Sequence, residues 1–568
     1  MTCKHNENGI NSGQKIVHIE SWSEGSDNSQ SLNSVFEEKS EARAELSNYH
    51  VFQDAALAEH WSNIYERVEY EGRHRFDPEM TWTKAEEAAI VRKLDFRVMV
   101  LVWLMFFSLD LVRQNLNRAL ASKSEKHFGN FFTDLDLTQN DVNHGLIVTY
   151  VAFLAMELPS GLISKRLGPE IWVPVQIIGW SVICAAQSAM VNKAGFFVTR
   201  VLLGIVQGGF IPDMGLYLTY FYTSKEMNVR MSWFYTVLGA SQVAGSFLSV
   251  GFMKLNGWHG VAGWRYLFAF DGLISGLIGI LAFLLMPATI TQTNTIAIRR
   301  PWLSEREQKI LVNRLLRDDP TKGDMNNRQS VTRAGIWACL TDFDAYPIYF
   351  LALTSMIPDQ PPKTYLSFML SEMGFSTLMS NLLTVPSMVL YMFNALWMSQ
   401  LANRLREKSL TTMITNVWVL PCLIALLTMP RTLHSEYWNW VRFGLLSLIG
   451  AYPMPLSFMV GWVSENAQSV ETRTISLCLL NMLVQVGSIF ATFVYTNEDQ
   501  PFYVKGNTAL AIISGFAIVQ GLVTRAYFVM RNRDKRQKWE RLTPEEQTDY
   551  RIKTREFGPR RLDVALVY

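Results

Sequence analysis

Apolar stretches of roughly membrane-spanning length recur along most of the chain, separated by short polar turns. They lie near 98–120, 143–165, 171–190, 195–222, 232–253, 266–287, 346–370, 377–399, 411–429, 438–463, 474–496 and 508–530. A bilayer core about 30 Å thick is crossed by roughly 20 helical residues. Only a helix or a closed barrel satisfies every backbone N–H and C=O inside hydrocarbon. The pattern therefore predicts an all-α membrane protein of twelve transmembrane helices in two six-helix halves.

The polar segments divide the chain further. Residues 1–95 are expected to form a cytoplasmic, mostly disordered tail. Residues 96–287 form the N-terminal half, 288–345 a cytoplasmic linker, 346–530 the C-terminal half and 531–568 a basic cytoplasmic tail. The first 50 residues hold eight acids against four Lys and Arg, with many Ser and Asn, a composition that buries too little apolar surface to offset chain entropy. In the linker, Ser304 is placed to cap a short amphipathic helix, with Glu307 at the capping-box position.

Charge sets the orientation. Lys and Arg accumulate in the turns after even-numbered spans: Lys165 and Arg166, Lys225 and Arg230, the run from Arg299 to Arg317, Arg404 to Lys408, and the tail from Arg531. Because such residues mark the cytoplasmic side, both termini are expected there, in a multi-pass plasma-membrane protein. Lys123 and Lys126 in the first external turn are the exception, diluted by Asp134, Asp136 and Asp141. The overall composition, 49% apolar with a net charge of +2, would fit many soluble enzymes, so it is the segregation of charge that decides the class. Five cysteines, Cys3, Cys184, Cys339, Cys422 and Cys478, show no disulfide or metal-ligand spacing. No phosphate loop, nucleophile elbow, HExxH or paired CxxC occurs, so neither an enzyme nor a cofactor is expected, and no metal or nucleic acid.

Candidate chemistry lies with ionisable residues inside the spans, which are costly in lipid and usually face a cavity or a partner. Span 1 carries Asp110 and Arg113 on one helical face, followed by Asn115. Arg113 is the candidate anchor for a carboxylate, since its planar fork binds two oxygens and stays charged. Asn115, Gln207, Lys363 and Tyr365 are further substrate candidates, and Pro358, Pro361 and Pro362 interrupt span 7 beside Lys363 and Tyr365. Asp110, Asp213 and Glu157 are alternative proton-coupling acids, each with a structural reading beside the functional one. Lys165, Arg166, Arg200, Arg265, Asp271, Trp462 and Asn466 read as gating or structural residues.

Several motifs carry a closer resemblance across residues 90 to 530. They are Glu157-Leu158-Pro159-Ser160 with Lys165-Arg166-Leu167-Gly168-Pro169, the stretch Arg200 to Pro212, and Gly263-Trp264-Arg265-Tyr266-Leu267-Phe268 with Asp271-Gly272. Gly374-Phe375-Ser376, Asn381 to Pro386, the Trp462 and Asn466 group, and Tyr495, Pro501, Tyr503 and Gly506 complete the set. In these the chain resembles the major facilitator superfamily, and within it the fungal anion:cation symporters of the allantoate permease family. The resemblance implies the major facilitator fold and import of a small organic anion with protons: a vitamin such as biotin, or else pantothenate, nicotinate, allantoate or a sulfur compound. A non-transporting nutrient receptor is the alternative from another class. Two departures stand out: Val112, not Asp, precedes Arg113, and Gln207 occupies the position of the acid in span 4 of related symporters.

Overall fold

The computed structural model describes residues 51–120, 131–323, 332–375, 377–405, 407–431, 435–467, 470–554 and 560–567. The expected disorder of residues 1–50, and Lys123, Lys126, Ser376 and Arg406, fall outside these. Among the described residues the secondary structure is helical throughout. Ahead of the first span come α1 (Ala55–Arg67) and α2 (Lys84–Leu94), the latter opened by a Thr83–Glu86 capping box. Residues 51–95 thus depart from the mostly disordered tail expected for 1–95. Trp61, Tyr65, Phe76 and Trp82 give this stretch apolar surface that packs against the linker, a property that residues 1–50 lack in their sequence.

The N-terminal half comprises α3 (Val100–Leu120), α4 (Gln139–Leu167), α5 (Pro169–Gln187), α6 (Lys193–Gln207) with α7 (Phe210–Thr219), α8 (Ser224–Met253) and α9 (Gly263–Leu285). The linker holds α10 (Glu305–Asp318), capped by Ser304 and Glu307 as its sequence implied. The C-terminal half follows with α11 (Tyr346–Ser355) and α12 (Gln360–Glu372), α13 (Thr384–Leu405), α14 (Lys408–Thr428), α15 (Glu436–Gly450) and α16 (Leu456–Ala467), α17 (Val470–Thr492) and α18 (Val504–Glu540). These are twelve passes, six in each half. Seven helices among the described residues are by length and composition alone apolar enough to cross a membrane. The outer surface carries large exposed apolar side chains, among them Phe270, Leu277, Phe393, Phe490, Ile512 and Phe516. Such a band is tolerable against lipid and costly against water.

Three passes are broken, and each break has a local cause. In the fourth, Gly209 adopts φ +82°, and a Cβ there would lie 2.5 Å from Ser160. Glycine is thus required both by the backbone and by the close approach of α4. The side chain of Gln176 satisfies the freed carbonyls of Val206 and Gly208 at 3.0 and 2.9 Å. In the seventh, Pro361 and Pro362 sit in the first turn of α12, where no helical hydrogen bond is lost. In the tenth, Pro453 and Pro455 interrupt the chain, and Asn394 donates to the exposed carbonyl of Ala451 at 2.7 Å. The breaks in passes seven and ten are joined: the Tyr452 hydroxyl donates to the carbonyl of Ser355 at 2.6 Å.

At one end of the bundle, called here the linker end, α1, α2, α10 and the C-terminal residues gather. Arg314 of α10 binds Glu226 at 2.8 Å, Tyr65 donates to the carbonyl of Pro320 at 2.9 Å, and Arg317 lies over the Trp82 ring. Just beyond α10, Asp319 pairs with Arg473 of α17 at 2.6 Å, tying the linker to the C-terminal half. Burial pushes the Asp319 carboxyl up, but Arg473 and Lys322 outweigh this and hold it below its ordinary value. Its contribution is therefore present at neutral pH and is lost as pH falls through that lowered value. The C-terminal residues also dock here: Trp462 and Asn466 bond the backbone of Val567, while Asn532 bonds that of Leu566.

Two outcomes are expected. Gly209→Val removes the folded, monodisperse protein from detergent extracts, whereas Gly251→Ala, where an added Cβ meets nothing within 4 Å, leaves yield and melting temperature unchanged or raised. Asp319→Ala leaves the Arg473 guanidinium buried without its carboxylate and costs about 3 kcal/mol, read as a lower melting temperature that Asp319→Glu partly restores.

Candidate functional site

Arg113 projects from the middle of α3 and is half-buried. Its Nε donates to Gln207 Oε1 at 3.2 Å, and its Cζ lies 4.7 Å from the centre of the Phe153 ring. Gln207 ends α6 immediately before the Gly208–Gly209 break, so the same interruption that parts α6 from α7 fixes the amide that orients the guanidinium. The terminal nitrogens of Arg113 make no hydrogen bond to another described residue. A guanidinium held through Nε, with its fork free and partly exposed, is arranged to receive a planar anion.

Asp110 is buried one turn earlier on α3 and accepts a hydrogen bond from Ser241 of α8. Arg113, Arg118 and Lys363 are its charged neighbours. Lys363, in the first turn of α12, places Nζ 4.4 Å from the centre of the Tyr391 ring, and the Tyr391 hydroxyl reaches the carbonyl of Tyr235 in α8. A cation from each half thus faces the same acid, with aromatic rings from α8 and α13 beside them.

Two residues grouped with Arg113 in the sequence turn elsewhere. Asn115 is fully buried, and its amide donates to Cys184 of α5 at 3.2 Å, inside the N-terminal half. Tyr365 joins an aromatic cluster with Tyr495 and Tyr503, ring centres 6.0 and 6.4 Å away. Both displacements have one cause: positions two apart on a helix do not share a face, so Arg113 and Asn115 diverge, as do Lys363 and Tyr365. Their contacts turn both side chains toward partners other than Arg113.

The remaining acids sit closer to the linker end. Glu157 of α4 is buried; Oε1 accepts from Asn481 of α17 at 2.7 Å and Oε2 from the backbone N–H of Gly209 at 3.3 Å. Asp213 of α7 is buried, and its Oδ2 has no hydrogen-bond partner among the described residues. Arg166 is exposed. Lys165 is buried against the Tyr220 ring and donates to its hydroxyl at 2.9 Å. Arg200 is buried beside Phe196, Arg265 donates to the carbonyl of Ser188 at 2.6 Å, and Asp271 lies 4.0 Å from Arg118. Trp462 and Asn466 hold the C-terminal backbone. Sequence reasoning missed Asn481, Arg118, Ser241 and Tyr391. A lone amide in an apolar run was the available signal for Asn481, while the others needed knowledge of which spans are neighbours. Among the described residues no cluster of His, Cys, Asp and Glu is arranged to hold a metal ion.

Comparison with known proteins agrees with this architecture. The uncharacterized transporter YIL166C of Saccharomyces cerevisiae is 42% identical over 537 residues, covering 94% of this chain and 97% of that protein. The major facilitator-type transporter hxnP of Emericella nidulans is 24% identical over 467 residues, covering 80% of this chain and 88% of that one. Among solved structures, the proton:xylose symporter XylE bound to 6-bromo-6-deoxy-D-glucose superposes with a TM-score of 0.56 at 14% identity, covering 77% of this chain and 96% of that chain. The human organic anion transporter MFSD10 gives 0.50 at 14% identity, covering 76% and 99%. At such identities these two similarities speak for the fold alone. Residues 102–492 match the Major Facilitator Superfamily, and the chain belongs to that superfamily of membrane transporters.

Proposed function

We propose that this transporter is a secondary active carrier that imports a small organic anion by proton symport across the plasma membrane, with the linker end and both termini cytoplasmic. The observation that carries the reading is Arg113, a guanidinium positioned through Nε by Gln207, its terminal nitrogens bonding no other described residue. Lys363 stands near Asp110 from the other half and supplies a second positive charge. A monocarboxylate binds the fork of Arg113, whose guanidinium rests against the buried Phe153 ring, as Lys363 rests against the buried Tyr391 ring. The substrate class is a vitamin such as biotin; pantothenate, nicotinate, allantoate or a sulfur-containing anion fits the same charges. The motif resemblance to the allantoate permease family supports this reading, as do the Lys- and Arg-rich turns at the linker end. The chemistry asked of the protein is recognition and movement, with no bond made or broken.

Asp110 need not be the coupling acid, because Ser241 and the surrounding cations give it a structural role as counter-charge to Arg113 and Arg118. Arg118 is itself bound to the Ser241 carbonyl at 3.0 Å, which ties α3, α8 and α9 together around Asp271.

In cells lacking their own vitamin uptake, the chain is expected to confer uptake of labelled biotin that rises at acid pH and collapses with an uncoupler. Uptake indifferent to both excludes symport, and a competition panel of the other anions selects among substrates. Arg113→Ala is expected to lower uptake by about 30-fold at unchanged surface expression, the loss of one charge-assisted contact, with Arg113→Lys intermediate. Lys363→Ala is expected to raise the half-saturating concentration by about tenfold while leaving maximal uptake near normal. Normal uptake by Arg113→Ala removes the assigned anchor.

A further inference from the structure

Where α4, α7 and α17 meet, a polar knot lies inside otherwise apolar packing. Glu157 and Gly161 share a face of α4, and Cys478 and Asn481 share a face of α17. A Cβ on Gly161 would lie 3.2 Å from Cys478 Sγ and 3.8 Å from Asp213 Oδ1. The carboxyl groups of Glu157 and Asp213 therefore look onto one strip of α17, across the boundary between the two halves. The titratable groups around them are Arg113 from α3, Tyr235 from α8, Tyr220 beyond the end of α7 and Cys478 from α17. None of these gives Glu157 a bonded cation, and Arg113 is engaged with Gln207.

The hydrogen-bond inventory of the knot is short of donors. Glu157 is satisfied by the Asn481 amide and the Gly209 N–H. Ser164 of α4 stands beside the Asp213 carboxyl as a donor, but Asp213 Oδ2 and Asn481 Oδ1 are acceptors with no partner among the described residues, and both side chains are more than nine-tenths buried. Unpaired buried acceptors are rare in folded proteins, and each one left unmade is costly. Two carboxylates charged together in a low-dielectric bundle also cost more than one.

We infer that Glu157 and Asp213 form a proton-binding site shared between the halves, and that Asn481 reads its charge. Ionised Glu157 holds the Asn481 amide through a charge-assisted bond and keeps the linker end shut. A proton that arrives from water and settles on Glu157 leaves a neutral contact, roughly half as strong, and loosens α17 from α4. Proton binding thereby favours opening toward the cytoplasm, the direction import requires. This deepens the symport reading and rests on it, by naming the acid pair that couples and the amide it acts through.

Cys478 lies within the knot and is buried while the linker end is shut, so it is a built-in reporter. The test uses the full chain in lipid nanodiscs with Cys3, Cys184, Cys339 and Cys422 replaced by alanine, labelled with N-ethylmaleimide. Rates are normalised to glutathione at each pH, to remove the intrinsic pH dependence of thiols. Normalised labelling of Cys478 is expected to rise about fivefold from mildly alkaline to mildly acidic pH. Glu157→Gln is expected to label fast at every pH, and Glu157→Asp to retain a pH response. A Glu157→Gln protein whose labelling follows the unaltered pH profile overturns the inference, as does a parent protein whose labelling ignores pH. Because labelling needs no substrate, its failure is separable from failure of the symport reading. Uptake that stays acid-stimulated in Glu157→Gln cells likewise overturns this site while leaving symport intact, whereas parent uptake indifferent to pH sinks symport itself.

Discussion

Inside hydrocarbon no water stands ready to satisfy a loose backbone group, and this constraint governs where the chain can bend. A straight helix meets the demand by itself. A broken one exposes carbonyls and N–H groups, and every break in this bundle is matched by side chains reaching in from neighbouring passes. Gln176 serves the carbonyls of Val206 and Gly208, Glu157 the N–H of Gly209, Asn394 the carbonyl of Ala451 and Tyr452 that of Ser355. The polar residues that look out of place in apolar spans are, in these instances, what permits irregular backbone at membrane depth. The candidate groups then sit where the breaks are, since Gln207 precedes one, Asp213 follows it and Lys363 follows another.

Charge is handled by a parallel rule. Lys408 is buried and bound to Glu465 at 2.6 Å, Arg473 to Asp319, and Arg118 faces Asp271. These are counter-charges that a helical bundle needs to tolerate ions at all. Arg113 differs, because its Nε is fixed by a neutral amide and its terminal nitrogens bond no other described residue. Asp110 and Glu157 act on its charge from nearby without occupying its fork.

Much of this was legible in the chain. The twelve apolar stretches show as twelve passes because hydropathy follows directly from the solvent, and the linker cap at Ser304 and Glu307 follows from local backbone bonding. Proline marked the break in the seventh pass; those at Gly208–Gly209 and at Pro453 and Pro455 went unremarked, since the surrounding stretches read as continuous spans. Arg113 stood out because a charge in lipid demands a reason. Its partners were harder to see. Asn115 and Tyr365 were drawn into the site by closeness in sequence, although two residues along a helix is nearly the opposite face. Asn481 is 324 positions from Glu157, and no periodicity within either span announces that they meet. The ordered stretch 51–95 was likewise hidden, because its few aromatic side chains acquire a surface to pack on only once the linker has folded.

Tyr452 joins two interrupted passes, donating to Ser355 and lying 3.0 Å from the Thr415 hydroxyl. Passes seven and ten each consist of two rigid pieces, and a change of tilt in one piece is carried through this hydroxyl to its neighbour. A straight span meets a thinner or thicker bilayer only by leaning as a whole, at a cost that grows with each ångström of mismatch. The jointed passes give the C-terminal half a place to absorb such variation, so its response to membrane thickness is concentrated at the two joints rather than spread over the bundle.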